Sequence, residues 1–416
     1  MRRPSLGAIF FTVFLDLLGF GLVMPFLAKE ARDTFGSSEF VATLLGSVYS
    51  LMQFLFVPVW GRLSDRVGRR PVLLWSIAGT SLSMAGLGFG LAFGHGIAWL
   101  FAARIFSGIA TANLGTASAY IADITPPAER ARGMGMIGMA FGLGFILGPA
   151  VGGALAEIEV NGHHGPIPCF VAAGLSIANL IWAGLGLAES LPKGSRSTGP
   201  KRSLSPLNFG AMKHAFARPG FLIAVTVNFL IIVSFTNLDQ TFTFFCGDLF
   251  GMNERATGYT LAFIGIVAAA VQGGMIRPLS KRFSDAALIR AGVLIQSVAF
   301  FGFVVAGGAG SRAMLYGSGG LLALGNGLSQ PSTSAFVSKT APANEQGGAL
   351  GTNQAFASLG RTFGPALGGY LYGSIGHRMP YLAASIGMLV ALLLATGLRG
   401  NPPAGAKSQS TITQTS

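Results

Sequence analysis

The sequence has little charge and few acidic residues. Of its 416 residues, 10% are charged, against roughly 25% in an ordinary soluble protein, and Asp and Glu together number 15. So few charges cannot cover the surface of a soluble domain, and a hydrophobic share of 51% excludes a disordered chain. The two cysteines, Cys169 and Cys246, are too few for a disulfide framework or a zinc-finger array.

Long apolar runs occupy most of the chain instead. A helix that crosses a bilayer needs about 20 mostly apolar residues, and twelve runs meet this requirement. They cover residues 6–28, 39–61, 71–93, 97–122, 131–156, 168–188, 219–245, 255–277, 286–308, 312–338, 346–374 and 379–399. A membrane barrel is excluded because its strands alternate in hydrophobicity over about 10 residues. We therefore predict an all-α membrane protein with twelve transmembrane helices.

The basic residues are distributed unevenly over the two sides of the membrane. An even number of spans puts both termini on one side, and 21 of the 28 Lys and Arg residues then lie on that side. Five lie on the other side, and Arg104 and Arg361 lie within spans. The positive-inside rule makes the richer side cytoplasmic. The net charge of +13 thus indicates orientation in a cell membrane, with both termini cytoplasmic, rather than nucleic-acid binding.

A polar segment divides the chain into two halves that repeat. Residues 189–217 are rich in Pro, Ser, Gly and basic residues, which predicts a cytoplasmic linker. It joins an N-terminal six-helix bundle at 1–188 to a C-terminal six-helix bundle at 218–399, and residues 400–416 form a polar tail. The Gly-Pro-Ala motif that begins at Gly148 reappears 216 residues later at Gly364. Six spans per unit preserve orientation, so the repeat is parallel.

The loop between the second and third spans carries one acid and four bases. It reads Gly61-Arg62-Leu63-Ser64-Asp65-Arg66-Val67-Gly68-Arg69-Arg70-Pro71. This loop resembles the signature of the major facilitator superfamily, which implies two parallel six-helix repeats around a central cavity. In that family the loop acid and bases latch one face of the carrier closed. The resemblance therefore implies a gate made by Gly61, Asp65, Arg66, Gly68, Arg69, Arg70 and Asp123, and charges that only orient the helices are the alternative.

Several segments of the first half resemble the tetracycline/proton antiporters of that superfamily. They are Asp16 to Pro25, Tyr49 to Phe54, Arg104 with Gly108, Tyr120 to Thr125 and Glu129 to Arg132. The resemblance implies proton-coupled efflux of an amphipathic, drug-like compound by alternating access, as in multidrug efflux and antibiotic resistance. The third span contains no acid, whereas the tetracycline carriers have one there, so tetracycline itself stays open as the substrate.

Two ionisable residues lie inside spans of the first half. Asp16 is near the middle of its span, where a charged carboxylate costs about 2.5–3.5 kcal/mol on insertion scales. Such a cost indicates a buried partner, a water-filled cavity or a carboxyl that keeps its proton, and each suits proton uptake and release. Arg104 is the candidate counter-charge, and the resemblance assigns the Arg of this span to proton coupling. A fixed structural ion pair is the alternative.

The fifth span carries a glycine motif made by Gly144, Gly148, Pro149, Gly152 and Gly153. Pro149 cannot donate to the carbonyl of Phe145, so the helix should bend there. The glycines allow a neighbouring helix to pack closely. Within the superfamily this motif resembles that of antiporters, where it is associated with limiting leak, and close packing alone explains it equally well.

Polar residues of the second half are candidates for contact with a substrate. Arg361 is an intramembrane cation that could contact an anionic or polar compound. Further candidates to line the cavity are Asn237, Asp239, Gln240, Gln272, Asn353 and Gln354. Any of them could instead join neighbouring helices by hydrogen bonds.

Nothing in the sequence predicts an enzyme, a cofactor or a metal site. The five His residues lie in loops or at span ends, without acids at metal-ligand spacing. We expect a monomer in the lipid bilayer whose partners are a small-molecule substrate and protons. Two other hypotheses remain: a metabolite uniporter or importer of the same fold, and a membrane sensor or scaffold without transport.

Overall fold

The computed structural model describes residues 4–111, 113–126, 130–191, 218, 220–341 and 346–398. Within these ranges the chain is helical, and its only β-type pairing is an isolated bridge between Val160 and His163. The described residues form fourteen α-helices. They are α1 Leu6–Phe35, α2 Glu39–Val67, α3 Arg69–Ala92, α4 Ile97–Ala110, α5 Asn113–Ile124, α6 Arg130–Ala156, α7 Pro166–Gly186, α8 Phe221–Phe250, α9 Glu254–Ala270, α10 Ile276–Arg282, α11 Asp285–Ala309, α12 Arg312–Lys339, α13 Gln346–Ser374 and α14 Met379–Thr396.

Ten helical segments of the described residues are long and apolar enough to cross a membrane. They correspond to ten of the predicted runs, which confirms an all-helical protein with many membrane spans. Helices α12 and α13 contain 28 and 29 residues and coincide with the tenth and eleventh runs, but they are not among the ten. Both are rich in Gly and Ser, which lowers their hydropathy. A total of twelve spans stays a prediction.

Two predicted runs are not continuous α-helices. The fourth run is divided between α4, which ends at Ala110, and α5, which begins at Asn113. The eighth run contains a π-helical turn, Val271–Met275, between α9 and α10. This turn includes Gly273 and Gly274, and glycine weakens an α-helix by about 1 kcal/mol relative to alanine. Single π-turns inside α-helices are frequent at functional sites.

Contacts divide the chain into two compact units. The first contains Met1–Pro206 and Gln240–Ala262, and the second contains Leu207–Asp239 and Phe263–Ser416. The sequence division assigned 240–262 to the C-terminal bundle, whereas the contacts place this segment, the end of α8 and the start of α9, in the first unit. Residues 192–217 of the predicted linker and 400–416 of the predicted tail lie outside the described residues.

Each unit has a buried helix-packing core. In the first unit, the amino-terminal half of α1 contributes Ile9 and Val13 to an apolar cluster with Ile77 of α3 and Tyr120 of α5. In the second unit, α11 and α12 approach closely because glycines meet at Gly292 and Gly325. The Gln296 amide donates to the hydroxyl of Ser329 at 2.8 Å beside this contact.

Candidate functional site

The glycine motif of α6 brings this helix into backbone contact with α1. A Cβ atom built on Gly148 would lie 2.7 Å from the Cα of Gly21, and one built on Gly144 would lie 3.1 Å from Leu17. A Cβ on Gly152 would collide with the backbone of Leu22. Real Cβ atoms essentially never approach backbone as closely as at Gly148 and Gly152, and the contact at Gly144 is tighter than most, so the three motif glycines set the spacing between α6 and α1.

Two other residues of the motif contact the start of α9. A Cβ on Gly153 would collide with the carbonyl oxygen of Glu254, and one on Gly258 would collide with that of Pro149. Helix α6 therefore packs between α1 on one side and the first turns of α9 on the other. All five predicted motif residues lie at these contacts.

Arg104 is buried against α2. Its side chain is 1% exposed, its guanidinium carbon lies 4.1 Å from the centre of the Tyr49 ring, and its Nε donates to the carbonyl of Leu45 at 3.3 Å. Its Nη1 atom has no hydrogen-bond partner among the described residues. A cation over an aromatic face is stabilised by the ring quadrupole.

Tyr49 links this arginine to α1. The Tyr49 ring packs against Phe20, with 5.6 Å between ring centres, and Phe20 lies one helical turn after Asp16. The Tyr49 hydroxyl accepts a hydrogen bond from Thr111 at 3.0 Å. Asp16 is half-buried in the middle of α1. The direct ion pair between Asp16 and Arg104 that the sequence suggested is not among the ion pairs of the described residues, because Arg104 points towards α2.

The predicted gate loop forms a compact cluster around Arg69, which we call the Arg69 cluster: Ser64, Asp65, Arg69, Asp123 and Glu189. Arg69 Nη1 lies 2.6 Å from Asp65 Oδ1 and donates to Ser64 Oγ at 2.6 Å. Its Nε lies 3.2 Å from Asp123 Oδ2. Three of the predicted gate residues, Asp65, Arg69 and Asp123, therefore lie together in the structure.

The remaining gate residues shape the turn and its surroundings. Gly68 has φ of 113°, a conformation that side chains with a Cβ rarely adopt, so glycine is required between α2 and α3. Arg70 donates to the carbonyl of Gly184 in α7 at 2.6 Å. Arg66 is exposed, and a Cβ on Gly61 would meet no atom within 4 Å.

Glu189 is a member of this cluster that the sequence reasoning missed. Its carboxylate accepts hydrogen bonds from the backbone N–H groups of Arg69 at 2.8 Å and Arg70 at 3.3 Å. These are the first two residues of α3, so Glu189 satisfies the free amino end of that helix and complements its dipole. The signal in the sequence was a single acid at the end of the sixth span, before a basic segment.

A second group of ion pairs joins the carboxyl end of α1 to the segment 240–262, and sequence reasoning missed it too. We call it the Lys29 cluster: Lys29, Arg32, Asp33, Asp248 and Glu254. Lys29 Nζ lies 2.7 Å from Asp33 Oδ2 and 2.5 Å from Glu254 Oε1. Arg32 donates to both carboxylate oxygens of Asp248, at 2.9 and 3.2 Å. The Thr243 hydroxyl also donates to the carbonyl of Pro25.

Neighbouring contacts extend this connection to α6. Asn253 donates to Glu157 Oε1 at 2.6 Å, and Arg255 Nη2 lies 2.6 Å from Glu157 Oε2. The available signal was that acids stand close to the ends of the first, seventh and eighth predicted spans. Which helix ends meet could not be read from that pattern.

The substrate candidates of the second half have different surroundings. Asn237 is 1% exposed and donates to the carbonyl of Pro380 at 2.8 Å, so it joins α8 to α14. Arg361 is half-buried in α13 and donates to Ser358 at 2.9 Å. Among the other candidates, Asp239 and Gln240 are half-buried and Asn353 is buried. Gln272 and Gln354 are exposed.

Comparison with known proteins gives matches along almost the whole chain. Residues 9–349 and 278–415 match the family model described as Major Facilitator Superfamily. The tetracycline resistance protein of class C from Escherichia coli is 33% identical over 414 residues, which cover 98% of this chain and 99% of that protein. Major facilitator superfamily domain-containing protein 10 from Mus musculus is 28% identical over 442 residues, covering 96% and 93%.

Solved structures share the fold. The crystal structure of the human organic anion transporter MFSD10 (TETRAN) has a TM-score of 0.68 at 24% identity and covers 94% of this chain and 100% of that chain. A bacterial homolog of the human lysosomal transporter Spinster, in an inward-facing conformation, has a TM-score of 0.77 at 17% identity, covering 95% and 98%.

Proposed function

The chain belongs to the Major Facilitator Superfamily, and from this premise we propose that it is a proton-coupled antiporter that exports an amphipathic, drug-like compound by alternating access. Membership of the family makes it a multi-pass membrane transporter of small substrates rather than an enzyme. The proposal adds the direction of transport, the coupling to protons and the class of substrate.

We also propose twelve spans in two parallel repeats, with both termini cytoplasmic. Helices α12 and α13 then serve as the tenth and eleventh spans. The repeat is supported by similar contacts within each unit: Gly152 approaches Leu22, and Gly368, its equivalent at the 216-residue offset, approaches Asn237, which corresponds to Gly21, the residue before Leu22. Helices α1 and α8 each contain 30 residues.

The surroundings of Arg104 are the observation that carries proton coupling. A fully buried guanidinium outside any ion pair of the described residues is expensive, and ionisable groups kept inside membrane helices mark functional sites. The Tyr49 ring and one carbonyl stabilise it in this state. Asp16 is on the neighbouring helix that Phe20 brings against Tyr49. We propose that Asp16 pairs with Arg104 when it is ionised and separates from it when it is protonated.

Two ion-pair clusters support alternating access. Helix α2 begins at Glu39, whose carboxylate lies 3.6 Å from Arg32, and ends beside Asp65 and Arg69. Its 29 residues span about 44 Å at 1.5 Å per residue, so the Lys29 and Arg69 clusters lie at opposite ends of a membrane-spanning helix. We assign the Arg69 cluster to the cytoplasmic gate and the Lys29 cluster to the outer gate.

The proton-motive force is sufficient for such a cycle. One charge that moves across 100 mV supplies about 2.3 kcal/mol, whereas a tenfold concentration ratio costs about 1.4 kcal/mol. One proton per compound therefore supports accumulation against a gradient of more than tenfold. The resemblance to tetracycline resistance proteins favours export over import.

A growth assay tests the export of a drug-like compound. The chain is expressed in a host that lacks its own pumps and is exposed to tetracycline and a panel of amphipathic, aromatic toxic compounds, with and without an uncoupler. Resistance that the uncoupler abolishes is expected for at least one compound. Sensitisation of the host would indicate import. Unchanged sensitivity to every compound, together with normal membrane insertion, would favour a sensor or scaffold.

An organic-anion carrier of the same fold is a second candidate. It is favoured by Arg361, a half-buried cation in α13, and by the resemblance to a structure described as an organic anion transporter. Exchange of a radiolabelled organic anion in proteoliposomes that is independent of pH and lost in Arg361→Gln would select this alternative.

A further inference from the structure

Glu30 is a buried carboxyl group that the ion pairs of the Lys29 cluster do not include. It is 3% exposed, and its Oε1 atom has no hydrogen-bond partner in the described part of the chain. No hydrogen bond or ion pair among the described residues involves Glu30. A buried carboxylate without a donor loses its hydration and gains nothing in exchange, so the neutral acid is the form that such a site accommodates.

A small cavity in the first unit lies against this carboxyl group. It has a volume of about 10 Å³, and besides Glu30 its lining residues are Val23, Phe26, Leu27, Leu91, Gly165, Pro168 and Cys169. That volume is no more than one water molecule needs. The lining side chains offer no oxygen atom besides those of Glu30, whereas sodium-like and divalent cations need several oxygen ligands. The ligand that fits this site is a proton.

Gly165 covers the carboxyl group at a distance that a Cβ atom would prevent. Its φ is +88°, and a Cβ at this position would lie 2.6 Å from Cγ and 2.9 Å from Cδ of Glu30. The loop before α7 can close over Glu30 because this residue is glycine. The preceding residue, His164, has its Nε2 3.2 Å from Glu159 at the exposed side of the same loop.

The charged groups around Glu30 already have other partners. On α1, Lys29 binds Asp33 and Glu254, and Arg32 binds Asp248. From α9, Glu254 adds a further negative charge near the site. From α7, Cys169 contributes a buried thiol, and α3 contributes only Leu91 to the cavity lining. Among the described residues, both cations of α1 beside Glu30 are therefore already paired while the Lys29 cluster is closed, and the Arg104 guanidinium lies over the Tyr49 ring and donates to Leu45.

We propose that Glu30 is a second proton-binding site, separate from Asp16, and that the Lys29 cluster closes only when Glu30 holds a proton. The proposal rests on the assignment of this cluster to the outer gate. When the gate opens, Lys29 leaves Glu254, water reaches Glu30, and the Glu30 O–H bond breaks with transfer of its proton to that water. The freed Lys29 then balances the carboxylate. Closure requires the reverse transfer from the outer solution.

Infrared difference spectroscopy of the purified full chain tests proton binding without any substrate. The difference spectrum between a mildly acidic and an alkaline sample is expected to contain a protonated-carboxyl band. This band should disappear in Glu30→Gln, a variant whose side chain has the shape of the neutral acid. The matched control is Glu159→Gln, an exposed acid of the neighbouring loop, which should keep the band. Labelling the glutamate carboxyls with ¹³C should shift the band in the unmodified sequence, so its assignment to a glutamate does not depend on the folding of any variant.

The second measurement concerns closure of the gate. In a Cys169→Ala background, which adds no polar group to the Glu30 cavity, alkylation of the buried Cys246 by a membrane-impermeant maleimide, corrected for the pH-dependent ionisation of a cysteine thiol, should be faster at alkaline pH. Glu30→Gln should remove this dependence and keep the rate low. A band that survives in Glu30→Gln, the absence of a glutamate band, or unchanged pH dependence of alkylation would each overturn the proposal. Failure of proton-driven export with these results intact would instead refute the proposed function.

Discussion

Arg32 forms a bidentate ion pair with Asp248, the residue 216 positions later in the chain. The same offset relates the two glycine motifs, so the partners occupy equivalent positions of the repeat with opposite charges. Arg32 also lies over the Phe244 ring, 4.6 Å from its centre. Two parallel N–H to oxygen bonds fix direction as well as distance. This pair therefore aligns the carboxyl ends of α1 and α8 within the first unit.

Removing this ion pair should favour opening of the outer gate. The two side chains are 19% and 23% exposed, so solvent screening reduces the contribution of the pair to about 0.2–1 kcal/mol. Asp248→Asn should therefore raise the alkylation rate of Cys246 up to about fivefold, since 1.4 kcal/mol corresponds to tenfold. The charge exchange Arg32→Asp with Asp248→Arg should restore a slow rate. Equal rates in all three proteins would show that the pair does not restrain the gate.

The Arg69 cluster should control turnover, with unequal contributions from its two acids. Asp65 is 48% exposed, whereas Asp123 is 23% exposed and also accepts from Ser190. Asp65→Asn should lower the maximal transport rate by a few-fold and leave substrate binding nearly unchanged, because about 0.2–1 kcal/mol is lost. Asp123→Asn should lower it further. Rates and binding constants measured in proteoliposomes check this order, and an unchanged rate in both variants would leave the loop with an orienting role alone.

Glu189 should stabilise the protein through the amino end of α3. Glu189→Ala removes the acceptor of two backbone N–H groups, and the loss of such a cap costs about 0.5–2 kcal/mol. Glu189→Gln retains an acceptor and loses only the interaction of a charge with the helix dipole, about 0.3–1 kcal/mol. In detergent, the melting temperature should therefore be highest for the unmodified sequence, lower for Glu189→Gln and lowest for Glu189→Ala. Identical melting of all three proteins would exclude the capping role.

Helix α6 offers a matched pair of glycine substitutions. A methyl group at Gly148 would meet the backbone of Gly21, and overpacking of this kind costs about 1–3 kcal/mol. A methyl group at Gly142, on the same helix, would have no atom within 4 Å, so Gly142→Ala should be neutral or stabilising by up to about 1 kcal/mol. Gly148→Ala should lower both the melting temperature and the transport rate, whereas Gly142→Ala should lower neither. Similar melting of the two variants would contradict the backbone contact.

The membrane-spanning helices that the sequence predicts correctly depend on local patterns, and so do the glycine contacts and the Asp65–Arg69 pair that the structure contains. Apolar runs of sufficient length predict spans, and the glycine motif predicts close packing whichever helix the neighbour is. The Arg69 and Asp65 pair is four residues apart on a short loop, so its formation follows from chain geometry.

The features that sequence reasoning missed depend on contacts between distant segments. Glu189 meets Arg69 across 120 residues and Glu254 meets Lys29 across 225, and a single sequence does not state which helix ends are neighbours. Burial is equally non-local: Asn237 was a candidate for the cavity, yet Pro380 supplies a carbonyl acceptor from another helix. The burial of Glu30 is non-local too, because Gly165 and Cys169 lie around it from a segment about 135 residues further along the chain.

Proton-driven accumulation in proteoliposomes tests the proposed coupling of transport to protons. Proteoliposomes that contain the unmodified sequence or Asp16→Asn are loaded with buffer of one pH and diluted into another, and uptake of the compound to which the chain confers resistance is followed over time. The unmodified protein is expected to accumulate the compound against a gradient. Asp16→Asn is expected to retain energy-independent exchange and to melt normally but to accumulate nothing. Normal uphill accumulation by Asp16→Asn would contradict the coupling of transport to protons through Asp16 and Arg104.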